Sequence, residues 1–250
     1  MGIAVSNNTT RRSRLFFVAF ASAMFVVVLA GFAKSFFARS YFGTLDMLGA
    51  SELPVHLFVH GAILTTWFLL FLVQTILVAT NHTAVHRRLG IAGVIVAVLV
   101  VASGLVTVVE SVPRATLAKL PVEGLVPVVF GNSATLAAFS ICVLRGLVRR
   151  SEPAVHKRMM AIASANITVQ AGTRVGVLFG LPPFALGLPT LIVLLLAVVA
   201  HDLVTLRRVH PATIWGCAVA VACPVLFVML GNSPIGEAIV EILRPPTAGA

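Results

Sequence analysis

Two short stretches carry the residues best suited to chemistry in this chain. They are His86-Arg87-Arg88-Leu89 and, in altered form, His156-Lys157-Arg158-Met159. A neutral imidazole with a free ring nitrogen is a ligand for a transition metal or for haem iron. Each stretch stands where a long apolar run begins, so the two histidines fall at one depth. His201, which precedes Asp202 at the end of another apolar run, shares that depth. Three histidines at matched depth on separate helices predict a metal site or axial haem ligands. Asp202 cannot share a helix face with His201, but it could orient a histidine on a neighbouring helix. The plainer reading is that histidines gather at an interface beside basic clusters.

A second group lies on one face of a single segment. His60, Trp67 and Gln74 fall within about 40° of one another at 100° per residue, and His56 joins them. His56 and His60 have the i, i+4 spacing of a metal or haem site. Leu57 occupies the place where a zincin carries its general-base glutamate, so that chemistry is excluded. A second ligand from elsewhere would be needed, and Met229 is the one weak candidate. A third group, Asn166, Gln170 and Arg174, follows i, i+4, i+8 spacing. An arginine within an apolar segment is costly and calls for a partner, through His60 or Asn132, or for snorkelling. This stripe predicts a pocket for an anionic or polar ligand or a haem propionate, or else interhelical hydrogen bonding.

Other chemistries find no support. The chain has no G-x-S-x-G, no P-loop and no pair of carboxylates inside apolar segments. The two HxxxH pairs fall on opposite sides of the apolar segments, which does not match the histidine boxes of a membrane desaturase or hydroxylase. Cys142, Cys217 and Cys223 form no CxxC and lie in or beside apolar runs, where they act as small hydrophobes.

The elements that must position these residues are helices in lipid. The chain is 59% hydrophobic and only 10% charged, with a mean hydropathy of +1.04. Soluble domains carry about a quarter charged residues. Seven segments are long and apolar enough to span a bilayer: 15–33, 55–79, 89–109, 124–147, 159–181, 185–206 and 212–230. The expectation is an all-α integral-membrane bundle of seven transmembrane helices. It has a short N-terminal tail (1–14) and a C-terminal tail (232–250). Arg11-Arg12-Ser13-Arg14 before the first segment reads as the flank of an uncleaved signal anchor.

Charge sets the orientation. Twelve of the 18 basic residues fall on the side that holds Arg11, Arg87, Arg149 and Arg207. Asp46, Glu52, Glu110, Glu123, Glu237 and Glu241 lie at or beyond the opposite ends. The positive-inside rule therefore predicts a cytoplasmic N-terminus and an outer C-terminus. It also explains the net charge of +10 without nucleic acid. The third, fifth and seventh segments each begin just after a histidine with basic neighbours, which suggests a weak repeat of helical hairpins. Gly90, Gly93, Ala97 and Gly104 form a small-residue stripe, so the third segment is expected to be central.

At His86-Arg87-Arg88-Leu89-Gly90 and His156-Lys157-Arg158-Met159-Met160 the chain resembles a group of largely uncharacterised bacterial polytopic membrane proteins. These carry a His-Arg-x-x-Gly hairpin and a later His-Lys-x-x-Met hairpin. More distantly it is similar to small membrane proteins implicated in cytochrome-oxidase maturation, which have fewer helices than the seven predicted here. The likeness covers the second to sixth segments. It implies haem or copper chemistry at His86 and His156. The leading expectation is a bundle that binds haem or a metal in redox chemistry or respiratory-complex assembly, as a complex subunit or a homo-oligomer. The alternative is a cofactor-free transporter or ligand-binding bundle using Asn166, Gln170 and Arg174. A third possibility is a structural subunit with no site of its own.

Overall fold

A computed structural model describes residues 2–42, 53–117, 122–182 and 185–244. Asp46 and Glu52, expected as outer acids, lie outside the described residues. Among the described residues there is no strand. Helix α1 (Gly2–Phe32) runs through a π-helical turn (Ala33–Phe37) into the one-turn helix α2 (Arg39–Phe42). Six longer helices follow: α3 (Val55–Ala79), α4 (Thr83–Leu117), α5 (Val122–Val148), α6 (Pro153–Leu178), α7 (Gly187–Leu206) and α8 (Pro211–Gly231). A short α9 (Pro234–Leu243) forms where the sequence suggests only a tail.

Six of these helices are long and apolar enough to cross a membrane, namely α1, α3, α4, α5, α7 and α8. The chain is a multi-pass membrane protein. The fifth predicted segment is the exception. Its helix, α6, is as long as the others, yet it is not among the six. The reason is its position. Helix α6 packs against α1, α5, α7 and α8. Val155, Met159, Ala163, Asn166, Ala171 and Gly176, spread along its whole length, are all buried. A helix that faces protein rather than lipid tails has no need of an apolar surface.

Small residues make that enclosure possible. Ala161, Ala163, Ser164, Ala165, Ala171 and Gly172 are buried on α6 and let neighbouring backbones approach. A Cβ on Gly31 of α1 would overlap the carbonyl of Ala171, and one on Gly172 would overlap the Thr190 side chain of α7. The glycine stripe on α4 also serves packing, since a Cβ on Gly104 would crowd Leu136 of α5. Helix α4 is not the centre, however. Ile91, Ile95, Val98 and Leu105 are all exposed on it, which fits a lipid-facing helix.

With α6 as one member, α1, α3, α4, α5 and α6 close a ring in which each helix packs on the next. Across its middle the Trp67 indole donates to Ser164 Oγ at 3.2 Å and meets Phe139 edge-on with ring centroids 5.0 Å apart. Helices α3 and α4, like α5 and α6, pack along one another, whereas α7 and α8 barely touch. The third hairpin of the suggested repeat is therefore splayed around α6. Asn81 adopts φ 65° in the turn before α4, a left-handed conformation that Asn tolerates. Its side chain accepts from Arg14, which fixes the start of the α1 span beside the α3–α4 turn.

An ion pair joins α6, α7 and α8 at the end that carries most of the basic residues. Arg158 is 2% exposed and Asp202 is completely buried. The Arg158 Nε lies 3.0 Å and 3.2 Å from the two Asp202 carboxylate oxygens, and its Nη2 pairs with the same group. The Thr213 hydroxyl and the His210 backbone N–H, the latter at 3.1 Å, also donate to Asp202. Arg158 Nη1 donates to the Ala154 carbonyl at 2.8 Å. Removing one member of a buried pair leaves the other charge uncompensated and costs about 3–5 kcal/mol. Asp202→Ala is therefore expected to lower the thermal stability of detergent-solubilised protein sharply. The double replacement Arg158→Met with Asp202→Leu should recover much of that loss. Equal melting of Asp202→Ala and wild type would show that the pair does not hold the three helices.

Candidate functional site

Two of the predicted site residues meet. His86 lies in the first turn of α4, which begins at Thr83 and so includes residues expected in a loop. His156 lies in the first turn of α6, behind Pro153 at the helix start. Proline is favoured there because the first N–H groups of a helix have no internal acceptor. The two rings stand with centroids 6.4 Å apart and planes at 83°. They come from helices that share no packed interface among the described residues. His156 Nδ1 is 2.8 Å from the Gly146 carbonyl on α5. A carbonyl only accepts, so Nδ1 carries the proton and Nε2 presents a lone pair. Nδ1 of His86 and Oε1 of Gln74 on α3 are buried without a hydrogen-bond partner.

His201 does not join them. Its ring stacks on Phe16 at 4.3 Å and meets Phe17 edge-on at 5.2 Å, and its Nε2 lies 3.2 Å from Ser13 Oγ. Lys157 donates to the same hydroxyl at 2.8 Å. The aromatic pair on α1 thus gives the His201 ring an apolar bed that sequence spacing could not announce. Among the described residues, no group of three His, Cys, Asp or Glu could hold a metal ion. Of the three histidines expected to meet, only His86 and His156 come together. Asp202, expected to orient a histidine on a neighbouring helix, is engaged by Arg158 and lies 3.4 Å from Nδ1 of His201 on its own helix. The available signal was its place as an acid inside an apolar segment, which demanded a cation at equal depth.

The other candidates sit toward the opposite end of the ring. His60 Nδ1 lies 3.0 Å from Ser103 Oγ on α4. His56 Nε2 is buried without a partner. Met229 is 66% exposed and so is unsuited to complete a ligand set with these histidines. Arg174 places its guanidinium 4.4 Å from the Phe32 ring centroid, and its charge reaches His60. Asn166 is 1% exposed and donates to the Ile162 carbonyl at 2.8 Å, while its Oδ1 has no partner. Gln170 is half-buried between them on α6. The Trp67–Phe139 layer separates this group from the His86–His156 pair.

The carbonyl contact at His156 Nδ1 is one that ligating histidines also make. No family model, curated protein or solved structure matches this chain.

A further histidine, His210, stands out in the sequence only as a repeat marker. It caps α8, accepting from the Ala212 N–H at 3.1 Å through Nδ1. Burial first, and the Arg158 charge second, push its pKa below the ordinary 6.5. A depressed pKa in the folded state means that the cap is intact above about pH 6.5 and is lost as the pH falls through the folded value. Wild type should therefore lose stability relative to His210→Asn, a cap that does not titrate, between about pH 7 and pH 5. Parallel melting curves across that range would contradict this role.

Proposed function

We propose that this chain is a seven-span protein of the bacterial inner membrane that binds a haem iron or a transition-metal ion through His86 and His156. Its N-terminus lies in the cytoplasm and its C-terminus outside. It serves redox chemistry or the assembly of a respiratory complex, as a subunit or a homo-oligomer. The supporting observation is the approach of two imidazoles from α4 and α6 to 6.4 Å between centroids, with His156 Nδ1 already committed to a carbonyl.

The seventh span is α6. Its 26 residues measure about 39 Å at 1.5 Å per residue, against a hydrocarbon core of about 30 Å. Its polar groups are tolerable because protein encloses them. Bound iron or copper supplies one-electron chemistry. The chain's own contribution is to hold the two rings at one depth and within reach of one ion. The Gly146 carbonyl fixes the His156 tautomer and makes its ring nitrogen a better ligand.

A second reading rests on Asn166, whose Oδ1 is buried without a partner beside Gln170 and Arg174. Such a stripe suits a polar or anionic small ligand in a cofactor-free transporter, with His56 and His60 near its mouth.

Visible absorption and metal content separate the two readings. Protein purified gently from cells supplied with haem and copper is expected to carry a stoichiometric Soret band or metal ion. Either His86→Ala or His156→Ala should abolish it, and His201→Ala should leave it in place. Colourless, metal-free wild-type protein from such cells would overturn the first reading.

A further inference from the structure

A second feature at the basic end is independent of the histidine pair. Arg145 lies one turn from the end of α5, and Trp215 one turn from the start of α8. The Arg145 guanidinium stands over the Trp215 ring, 4.3 Å from its centroid. Its Nε is buried without a hydrogen-bond partner, and no carboxylate among the described residues pairs with it. The acid of the following turn, Glu152, is engaged by Arg149 at 2.8 Å.

The surroundings face lipid. On α5, Ile141 and Val148 lie within about 60° of Arg145 and are 40% and 66% exposed. On α8, Ile214 is 58% exposed. Further cations follow in sequence, Arg149 and Arg150 after α5 and Arg207 and Arg208 before α8. A tryptophan at this depth is typical of the membrane interface. A guanidinium over an indole can still offer its terminal N–H groups to the oxygens of a phosphate.

We infer that the rim between α5 and α8 binds the phosphate headgroup of an anionic phospholipid, with Arg145 as the anchor and Trp215 as its platform. In the orientation proposed above this is an inner-leaflet lipid. Its acyl chains would run from there toward the bilayer centre, along Ile141 on α5. Basic recesses between helices on the cytoplasmic side are the expected place for such headgroups.

The chain's two tryptophans give a direct test. In Trp67→Phe protein, Trp215 is the sole reporter. In phosphatidylcholine vesicles, brominated phosphatidylglycerol should quench it at about five-fold lower mole fraction than brominated phosphatidylcholine. Arg145→Gln should erase that preference while Trp215 still fluoresces. Inorganic phosphate added to the buffer should not compete. Equal quenching by the two lipids, or competition by inorganic phosphate, would overturn the inference. Native mass spectrometry of the wild-type chain tests the same site without touching Trp67. Phosphatidylglycerol should stay bound through delipidation that strips phosphatidylcholine, and Arg145→Gln should lose it. Loss of both lipids from wild type at the same step would contradict the site.

Discussion

The Asp202 carboxylate is sealed from water, and that single fact dictates how three helices meet. A bare carboxylate in a medium of low polarity is prohibitively costly, so it must have a cation and further donors within reach. Arg158, Thr213 and the His210 N–H supply them from α6, from α8 and from the turn before α8. Helix α6 is thereby pinned at its basic end between α7 and α8. Its small residues then let α1 approach from the other side, close enough that Gly31 has no room for a methyl group. The first two turns of α6 carry both His156 and Arg158. The ion pair that fixes the arginine also fixes the azimuth of the histidine, and so directs the His156 ring toward α4.

Much of the fold was legible because lipid imposes a simple rule on exposed helices. Six of the seven expected segments match helices long and apolar enough to span, with ends shifted by several residues where polar caps extend them, as at Thr83 before His86. The rule is weaker for a helix that is largely enclosed by protein. The Ala, Ser, Thr and Gly of α6 read in sequence as weak apolarity, while the glycine stripe of α4 reads as a central helix. The distinction lies in what surrounds each helix, and one sequence contains no record of that. The His86–His156 pairing was posed by matched depth but could not be decided by it. Depth gives one coordinate, and azimuth comes only from packing. His201 shares the depth and points instead to Phe16 and Phe17.

The polar residues of the ring fall into two layers with an aromatic barrier between them. At the basic end stand His86, His156 and Gln74. Toward the other end stand His56, His60, Ser103 and Arg174. Trp67 lies between, held by Ser164 and Phe139. His60, Trp67 and Gln74 occupy one face of α3, so a single helix contributes to both layers and to the barrier. This division makes the two histidine groups separate chemical environments. One holds two imidazole rings close together and the other an imidazole bonded to the Ser103 hydroxyl.

The proposed seven-span reading has α6 crossing the bilayer as an enclosed polar helix. Cysteine labelling tests this most directly, in a background where Cys142, Cys217 and Cys223 are replaced by serine. Glu152→Cys and Leu181→Cys mark the two ends of α6, both at exposed positions. Ser164→Cys marks its fully buried middle. A membrane-impermeant maleimide should reach position 152 only from the cytoplasmic side and position 181 only from the outside. It should not reach position 164 from either. Labelling of positions 152 and 181 from the same side would contradict a membrane-crossing α6.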